Sequence, residues 1–276
     1  MKIGIIGLGL MGGSLGLALK EFSHKYTVIG YDHNKKHQEE AIQLDLIDKL
    51  AIDFNEIKLC DTIILAIPVD AIIKTTQSLK GINQRCTIID FGSSKEKINA
   101  SIPHEIRKNF VTAHPMTGTE KFGPTAAIEG LYSNKVMVIC NQEESEKFHL
   151  KKALDIFSDI QAKVVFMGAK EHDRDAAFIS HMPHAVSYAI SNAVMKQEHP
   201  ESIIALAGGG FKSMSRIAKS SPNMWEDIFR QNKSNLLESI KSFNKEMHIC
   251  QTFIENEQWD ELHQWMSNAN KLHDIL

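Results

Sequence analysis

The sequence predicts a protein of the α/β class, with a mostly parallel sheet in its first part and helices alone in its second part. Up to about residue 167, short runs rich in β-branched residues alternate with stretches of helical periodicity, which is typical of strand, helix, strand units. Beyond Gly168 the strand-like runs stop, and the only later glycines are Gly208–Gly210. We therefore predict two domains, residues 1–167 and residues 168–276.

The first strand is predicted over Lys2–Ile6, and it leads directly into a glycine-rich turn, Gly7-Leu8-Gly9-Leu10-Met11-Gly12. This G-x-G-x-x-G spacing at the start of a helical pattern is typical of dinucleotide binding. Gly7 suits the tight turn out of the strand, Gly9 lets a pyrophosphate approach the backbone, and Gly12 lets the helix pack closely on the sheet. The N–H groups at the start of that helix attract phosphate oxygens.

The second strand, Thr27–Tyr31, is followed by Asp32, at the distance from the turn where an acidic side chain meets a ribose hydroxyl. A carboxylate hydrogen-bonds the free hydroxyl of NAD and repels the 2′-phosphate of NADP. We therefore expect NAD as the cofactor, while Lys35 and Lys36 leave NADP as the alternative.

Five later runs complete the predicted sheet. They are Thr62–Ile67, Thr87–Asp90, Phe110–Ala113, Val136–Cys140 and Lys163–Met167. Because ligands of open parallel sheets bind beyond the carboxyl ends of the strands, residues that follow these runs are candidates for the site. Ala66 and Pro68, at the end of the first of these runs, are assigned to cofactor binding.

Two segments that follow strands carry side chains suited to catalysis. His114 follows the third of these runs, and we expect it to act as a base, because neutral imidazole accepts a proton near neutral pH. Ser93 follows the second run and can hydrogen-bond a substrate at the same edge, with Lys95 nearby as a charge. Ser93 and Ser94 have an alternative role as caps of the helix that begins near Lys95.

The helical part contains the segment Ser180-His181-Met182-Pro183-His184. Its spacing places Ser180 and His184 on one helix face, and Pro183 interrupts the helix there. We expect His184 to contact the substrate or a subunit interface. A metal site on His181 and His184 lacks a third ligand at matching spacing, so we predict no metal.

A second segment of the helical part runs from Gly208 to Ala218. Its three successive glycines indicate close approach of the backbone to another group. Arg216 follows on a short helix that ends before Pro222, and its planar guanidinium is suited to bind a carboxylate in bidentate fashion. A surface ion pair is the alternative role of this arginine.

The composition excludes several classes of partner. The 276 residues carry a net charge of −3, with 43% apolar and 24% charged residues, so nucleic acid and anionic membranes are not expected as partners. Four scattered cysteines without a C-x-x-C pair favour a reducing cytoplasm. A small helical domain gains stability by burying apolar surface against a second copy, so we expect a homodimer, with a monomeric core as the alternative.

Taken together, these segments resemble the prephenate dehydrogenase family of tyrosine biosynthesis along nearly the whole chain. The five ordered features that carry the resemblance are Gly7–Gly12, Gly92–Lys95, His114–Lys121, Ser180–His184 and Gly208–Ala218. The resemblance implies an N-terminal Rossmann-type doubly wound sheet followed by an all-helical dimerisation domain. It also implies oxidative decarboxylation of prephenate to 4-hydroxyphenylpyruvate, with hydride transfer to NAD.

The resemblance assigns roles to individual residues. His114 matches the family's catalytic histidine, and Ser93 matches a serine near the substrate hydroxyl and the nicotinamide. The substrate-binding residues that the resemblance implies are Ser93, Thr119, His184, Gly209 and Arg216. Lys212 occupies a region that in the family can approach the neighbouring subunit's site.

Three other functions stay open on the sequence alone. Arogenate dehydrogenase differs only in an amino group on the substrate side chain. Hydroxyacid or pyrroline-carboxylate dehydrogenases share the two-domain plan, but they would be expected to use a donor of the helical domain in place of His114. A non-catalytic redox sensor would bind the dinucleotide without turnover.

Overall fold

One eight-stranded sheet forms the centre of the protein in the computed structural model, which describes residues 1–275. Leu276, the last residue of the predicted helical domain, lies outside the described residues. The strands are β1 (Lys2–Ile6), β2 (Thr27–Tyr31), β3 (Lys49–Leu50), β4 (Thr62–Leu65), β5 (Thr87–Asp90), β6 (Phe110–Pro115), β7 (Val136–Cys140) and β8 (Lys163–Met167).

The strand order is β3-β2-β1-β4-β5-β6-β7-β8, and every neighbouring pair is parallel except β6 and β7. The chain extends the sheet from β1 to one side through β2 and to the other side through β4. Such a reversal opens a crevice beyond the carboxyl ends of the strands, which is where ligands bind in sheets of this kind. The mostly parallel sheet confirms the predicted fold class.

All seven predicted strand runs form strands, with two changes at their ends. β4 stops at Leu65 because the chain then turns into a helix whose N-cap is Pro68. β6 continues to Pro115, which pairs with Met137 of the antiparallel strand β7. The sequence analysis did not include β3, because a strand of two residues, Lys49–Leu50, leaves no periodic signal.

Helices connect many of the strands and follow the last of them. They are α1 (Leu10–Lys20), α2 (Lys35–Gln43), α3 (Phe54–Ile57), α4 (Val69–Ser78), α5 (Glu96–Ser101), α6 (Lys147–Asp159), α7 (Ala169–Ala176), α8 (Met182–Met195), α9 (Pro200–Ala205), α10 (Gly209–Ser215), α11 (Pro222–Gln231), α12 (Lys233–Glu255) and α13 (Trp259–Asn270). No strand follows β8 within residues 1–275, in agreement with the predicted helical second part.

Both faces of the central strands are buried under helices. On β1, Ile3 and Ile5 enter the apolar cluster on one face, and Ile6 enters the cluster on the other. On β4, Ile64 enters the same cluster as Ile3 and Ile5, and Ile63 enters the same cluster as Ile6. Because alternate side chains enter two separate cores, a central parallel strand needs apolar residues at every position, which explains the continuous apolar runs.

The chain forms two compact units, residues 1–232 and residues 233–276. The first unit contains the sheet and the helices up to α11. The second contains α12 and α13, where the Trp265 indole donates to the Glu246 carboxylate at 2.9 Å. The predicted division after residue 167 follows the change from strands to helices and stays a prediction. None of the helices described has the length and apolar character needed to cross a membrane.

Candidate active site

The glycine-rich turn between β1 and α1 is shaped by two of its three motif glycines. Gly7 has a φ of 93°, and a Cβ there would lie 2.3 Å from the Ala66 carbonyl oxygen. A Cβ on Gly12 would lie 1.8 Å from the Gly7 carbonyl oxygen. Because atoms cannot approach so closely, the fold itself requires glycine at both positions.

Gly9 has a different role, because the protein leaves space around it. It is the N-cap residue of α1, and the nearest atom to a Cβ there would be the Gly123 backbone nitrogen, at 3.9 Å. This space adjoins the N-terminal end of the helix, where N–H groups and the helix dipole favour a phosphate. Since packing does not require glycine here, the open cradle fits the pyrophosphate of a dinucleotide.

Substitution of alanine for Gly9 and for Gly12 distinguishes an effect on cofactor binding from an effect on folding. We expect Gly9→Ala to raise the Kd for NAD at least about tenfold, with little change in Tm, because its methyl group enters the cradle. Gly12→Ala should also lower Tm, since its Cβ meets the Gly7 carbonyl. Isothermal titration calorimetry and thermal unfolding measure the two effects. An unchanged NAD affinity in Gly9→Ala would contradict the assignment of this space to the cofactor.

Asp32 lies beside the turn, directly after β2, and is 5% exposed. One carboxylate oxygen accepts the Leu8 N–H at 2.9 Å, and the other accepts the Asn34 N–H at 2.9 Å. Ala66 and Pro68 follow β4, which pairs with β1 in the sheet. The fold thus brings the predicted cofactor residues to one edge of the sheet, and their contact with NAD stays a prediction.

His114, the predicted base, lies near the end of β6 and is hydrogen-bonded to a second histidine. His114 Nδ1 is 2.8 Å from His172 Nε2, and His172 Nδ1 is 2.8 Å from Asp173 Oδ1. His172 and Asp173 belong to α7 and are buried. These three side chains, which we refer to as the histidine chain, connect a carboxylate to the base.

The hydrogen bonds of Asp173 determine the tautomer of both histidines. Its carboxylate also accepts the backbone N–H groups of Lys95 and Glu96, at 2.7 and 3.0 Å. Burial acts to raise the pKa of Asp173, but the bonds from His172 and from these two N–H groups outweigh it and lower the pKa below 3.8. A carboxylate only accepts, so His172 Nδ1 carries its proton. His172 Nε2 then accepts from His114 Nδ1–H, which leaves the His114 Nε2 lone pair directed away from this bond.

His114 is held in its neutral form. Burial lowers the pKa of His114 well below the ordinary value of 6.5, and the nearby charges of His172, Lys95 and His181 act in the same direction. Near neutral pH its Nε2 therefore carries no proton and is able to accept one from a substrate hydroxyl.

A buried ion pair supports the strand that carries His114. Lys95 and Asp90 are fully buried, and the Lys95 ammonium contacts the Asp90 carboxylate and donates to the Ala113 carbonyl at 2.6 Å. The Asp90 carboxylate accepts the Ala113 N–H at 3.3 Å. The backbone is thus held through both polar groups of Ala113, immediately before the predicted base. Lys95, expected only as a nearby charge, is part of the structural support of the site.

The alternative role of the serines as helix caps is wrong. Helix α5 begins after Lys95, and no side chain of its own N-cap residue bonds its N–H groups. The Asp173 carboxylate takes that place and accepts from Lys95 and Glu96. An ionised carboxylate offers two acceptor oxygens and a favourable interaction with the helix dipole, which one hydroxyl does not. Ser94 Oγ is buried without a hydrogen-bond partner among residues 1–275, and the half-buried Ser93 is left without a capping role.

The helical part contains His184, the residue predicted to contact the substrate or an interface. A π-helical turn over Ala177–His181 precedes α8 and interrupts the regular helix in the segment that contains the proline. His184 Nδ1 donates to the Ser180 carbonyl at 2.9 Å, and its ring stacks on Trp225 with the ring centroids 3.5 Å apart. Burial and the Arg216 charge lower the pKa of His184, whereas the Ser180 carbonyl acts to raise it. The stacked ring is fixed in orientation, as a substrate-contacting group requires.

His181 is fixed by Asn232 at the end of the first compact unit. The Asn232 amide nitrogen donates to the Asp173 carbonyl at 2.6 Å and to His181 Nδ1 at 3.1 Å. Because that nitrogen is a donor, His181 Nδ1 accepts and the ring proton lies on Nε2. Burial lowers the pKa of His181 to about 4, so the ring is neutral beside the histidine chain.

Arg216 lies opposite the segment that carries Thr119. Its guanidinium is 3.1 Å from the Glu120 carboxylate and is 56% exposed. The Thr119 hydroxyl accepts the Lys121 N–H at 3.2 Å. An exposed ion pair contributes little to stability, so Arg216 is able to exchange Glu120 for another carboxylate. Sequence analysis did not select Glu120, whose role depends on this distant contact.

The three glycines at 208–210 are not required by packing. A Cβ at any of them would have no described atom within 4 Å, and Gly209 is the first residue of α10. The sequence analysis expected the backbone of these glycines to lie close to another group, and no group of the described chain takes that position. An approach to a ligand or to a second copy stays a prediction.

Sequence analysis missed the partners of the base. His172 and Asp173 follow β8, and Asp90 is the last residue of β5. Their positions at the ends of strands were a signal by which the sequence analysis could have selected them. The same positional argument selected His114. Over residues 1–275, no group of three or more His, Cys, Asp or Glu side chains is arranged to hold a metal ion.

The chain matches two family models along most of its length. Residues 15–166 match the nucleotide-binding domain of prephenate dehydrogenase, and residues 168–268 match its dimerization domain. The chain is 32% identical over 283 residues to a prephenate dehydrogenase of Bacillus subtilis, an alignment that covers 99% of this chain and 75% of that protein.

Two solved structures are similar over the whole chain. Prephenate dehydrogenase from Aquifex aeolicus, in complex with hydroxyphenyl propionate and NAD+, has a TM-score of 0.92 and 31% identity, with coverage of 100% of this chain and 98% of that chain. Arogenate dehydrogenase from Synechocystis has a TM-score of 0.82 and 27% identity, with coverage of 100% and 99%.

Proposed function

Because this chain belongs to the prephenate dehydrogenase family, we propose that it oxidises and decarboxylates prephenate to 4-hydroxyphenylpyruvate with NAD as the electron acceptor. The observation that carries the proposal is the histidine chain, which leaves the neutral His114 Nε2 able to accept a proton. The base lies at the same sheet edge as the glycine cradle. One crevice therefore contains a dinucleotide cradle and a base, which are the two parts that oxidation of an alcohol needs.

The proposed reaction begins at the ring carbon of prephenate that bears the hydroxyl. The hydroxyl proton passes to His114 Nε2 while a hydride leaves the same carbon, and NAD, when bound, supplies the hydride acceptor. The ring carboxylate then leaves as carbon dioxide, and its electron pair makes the ring aromatic. The ring oxygen takes up a proton to give the phenol. The carboxylate of Asp173 stabilises the positive charge that the histidine chain gains on protonation.

Ser93 and Arg216 are proposed to orient the substrate. Ser93 follows β5, which pairs with β6, and this position supports a hydrogen bond from its hydroxyl to the reacting oxygen. Arg216 binds a substrate carboxylate in bidentate fashion in place of Glu120. Thr119, His184 and the backbone at Gly209 complete the proposed substrate pocket.

Removal of the Arg216 guanidinium should weaken substrate binding more than it slows the chemical step. We expect Arg216→Ala to raise KM for prephenate at least about tenfold, with a smaller effect on kcat, because a charge-assisted bond to a carboxylate is lost. Initial rates of NADH formation over a range of prephenate concentrations measure both constants. Arg174→Ala, at an exposed arginine of α7, serves as the control. A large fall in kcat at unchanged KM would contradict a binding role.

The pH profile should show no loss of activity at the ordinary pKa of histidine. His114 must be unprotonated to act, so activity is lost only as the pH falls through the pKa of His114, which burial holds well below 6.5. We expect kcat/KM for prephenate to stay constant between about pH 7.5 and about pH 6.5, and to fall at lower pH. Circular dichroism at each pH separates this loss from unfolding. A midpoint at or above about 6.5 would contradict the assignment of the base.

The function is tested by NADH formation with prephenate, arogenate and a simple 2-hydroxy acid as substrates. We expect the highest kcat/KM with prephenate. Arogenate is the second candidate, since the solved arogenate dehydrogenase shares the fold over the whole chain. NAD binding without turnover of any of the three would favour the redox sensor and overturn the proposal. Turnover of the hydroxy acid alone would favour a different dehydrogenase.

We further propose that the protein works as a homodimer in the cytoplasm. The match of residues 168–268 to a dimerization domain supports the dimer. Four free cysteines, of which Cys60, Cys86 and Cys140 are buried, support a reducing compartment. Light scattering coupled to size-exclusion chromatography measures the assembly, and a monomeric mass at micromolar concentration would contradict it.

A further inference from the structure

The side chain of Asn232 binds two parts of the site through one amide nitrogen. That nitrogen lies 2.6 Å from the Asp173 carbonyl oxygen and 3.1 Å from His181 Nδ1. Because a carbonyl oxygen only accepts, the group that faces it is the amide NH2 and not the amide oxygen. The NH2 group carries two protons, so each acceptor receives one. Asn232 is 3% exposed, and the proposed chemical step does not use it.

Asp173 is thereby held at its backbone as well as at its side chain. Its carboxylate, where the histidine chain starts, accepts from His172 and from two backbone N–H groups at the start of α5. Its carbonyl accepts from Asn232 and from the Ala177 N–H, at the point where α7 passes into the π-helical turn. A shift of this carbonyl would move the carboxylate as well, because both belong to the same residue.

Asn232 directly follows α11, and the two residues before it anchor that helix to α4. Arg230 donates to the Asp70 carboxylate at 2.7 Å, and the Gln231 amide contacts the same carboxylate. Gln231 is 6% exposed and also donates to the Asp227 carboxylate at 3.2 Å. Asp70 lies in the first turn of α4. The end of α11 is therefore fixed in place, as a residue that positions another residue requires.

We propose that Asn232 is a positioning residue for His114, which it holds in its reactive orientation through the histidine chain. The amide fixes the backbone of α7, the carboxylate of Asp173 fixes the His172 ring, and that ring fixes His114. A displacement of a reacting group by about 1 Å is able to cost about a hundredfold in rate. Asn232 therefore contributes to kcat although it acts only through other residues. The proposal rests on the proposed role of His114 as the base.

Replacement of Asn232 by alanine removes the donor from both acceptors. We expect kcat for prephenate to fall at least about tenfold, while KM for prephenate and KM for NAD each change less than about threefold, because the residues of the pocket and the cradle are kept. Initial rates of NADH formation measure these constants. Asn223→Ala, at an exposed asparagine of α11, is the matched control and should keep full activity. An unchanged kcat, or a rise in KM alone, would overturn the proposal.

The same substitution in the His114→Asn background separates positioning of the base from a general structural effect. If Asn232 acts through His114, its removal costs little once the base is absent. We expect Asn232→Ala to lower the remaining kcat of His114→Asn less than about twofold, since two changes in one connected network are not additive. An equal loss in both backgrounds would overturn the proposal. Full turnover in His114→Asn itself is a different result, which contradicts the proposed base.

Heteronuclear NMR of the histidine ring nitrogens tests the contacts without turnover. We expect His181 to carry its proton on Nε2 in the unmodified protein, and to show both tautomers in Asn232→Ala, because Nδ1 loses its donor. Asn232→Ser, whose hydroxyl supplies one proton in place of two, is a milder variant that should show the same loss of kcat at a smaller size. Thermal unfolding checks that both variants are folded. A proton on His181 Nδ1 in the unmodified protein would overturn the proposal, whichever substrate the enzyme uses.

Discussion

Replacement of His114 by asparagine should lower kcat about a thousandfold, since a positioned general base contributes about 10²- to 10⁴-fold to a rate. The asparagine amide is able to hydrogen-bond His172 and fits the space of the ring, but it cannot accept a proton. The histidine chain would then end in a group without basic character. We expect kcat and kcat/KM to fall together, because the proton is transferred in the transition state.

The control measurements for His114→Asn are NAD binding and thermal stability. Both should stay close to those of the unmodified protein, since the glycine cradle lies on β1 and α1 and His114 on β6. His104→Asn, which replaces an exposed histidine outside the site, should keep full activity. A His114→Asn enzyme that retains more than about a tenth of its kcat would exclude this histidine as the base.

Replacement of Lys95 by methionine should produce a large loss of stability. Lys95 and Asp90 are both fully buried, and the lysine also donates to the Ala113 carbonyl. Removal of one partner of a buried ion pair leaves an uncompensated charge and typically costs about 3–5 kcal/mol. Urea unfolding monitored by circular dichroism measures the change in free energy. Lys80→Met, at an exposed lysine between α4 and β5, should change it by less than about 0.5 kcal/mol.

The pH dependence of the Lys95→Met variant provides a second check of the same assignment. In the unmodified protein burial raises the pKa of Asp90 above its ordinary value, although Lys95 opposes the rise. Without Lys95 the pKa of Asp90 in the folded protein rises further, so the folded protein binds this proton still more tightly than the unfolded chain does. A raised folded pKa gives stability that is present at low pH and lost as the pH rises through it. The defect should therefore grow from acidic to neutral pH, and a defect independent of pH would contradict the ion-pair explanation.

The strands and the cofactor turn could be predicted because their signals are local. A strand buried on both faces needs a continuous apolar run, and Thr87–Asp90 and Val136–Cys140 formed such buried strands over the residues predicted. Lys163–Met167 also formed a strand over the residues predicted, but at the exposed edge of the sheet. The turn at Gly7–Gly12 depends on contacts within the turn and with the neighbouring strand. One of these, the approach of Gly7 to the Ala66 carbonyl, explains why glycine is required there.

The contacts between the base and its partners could not be predicted, because these residues come from distant parts of the chain. His114 is 58 residues from His172, and Lys95 is 78 residues from Asp173. The separation of Lys95 and Asp173 along the chain also explains why the alternative role of the serines as helix caps was wrong. Serine is a common local cap, but the fold placed the Asp173 carboxylate of α7 at the start of α5, where it binds two N–H groups.

The class of fold, the dinucleotide turn and the selection of His114 as the candidate base were thus already contained in the order of residues along the chain. Residue order is sufficient for these features because strand periodicity, glycine geometry and position at a strand end depend on near neighbours. The tautomer of His114 and the burial of Lys95 depend on packing between separate elements. That packing decides which donors and acceptors meet, and with it the charge that each group of the site carries.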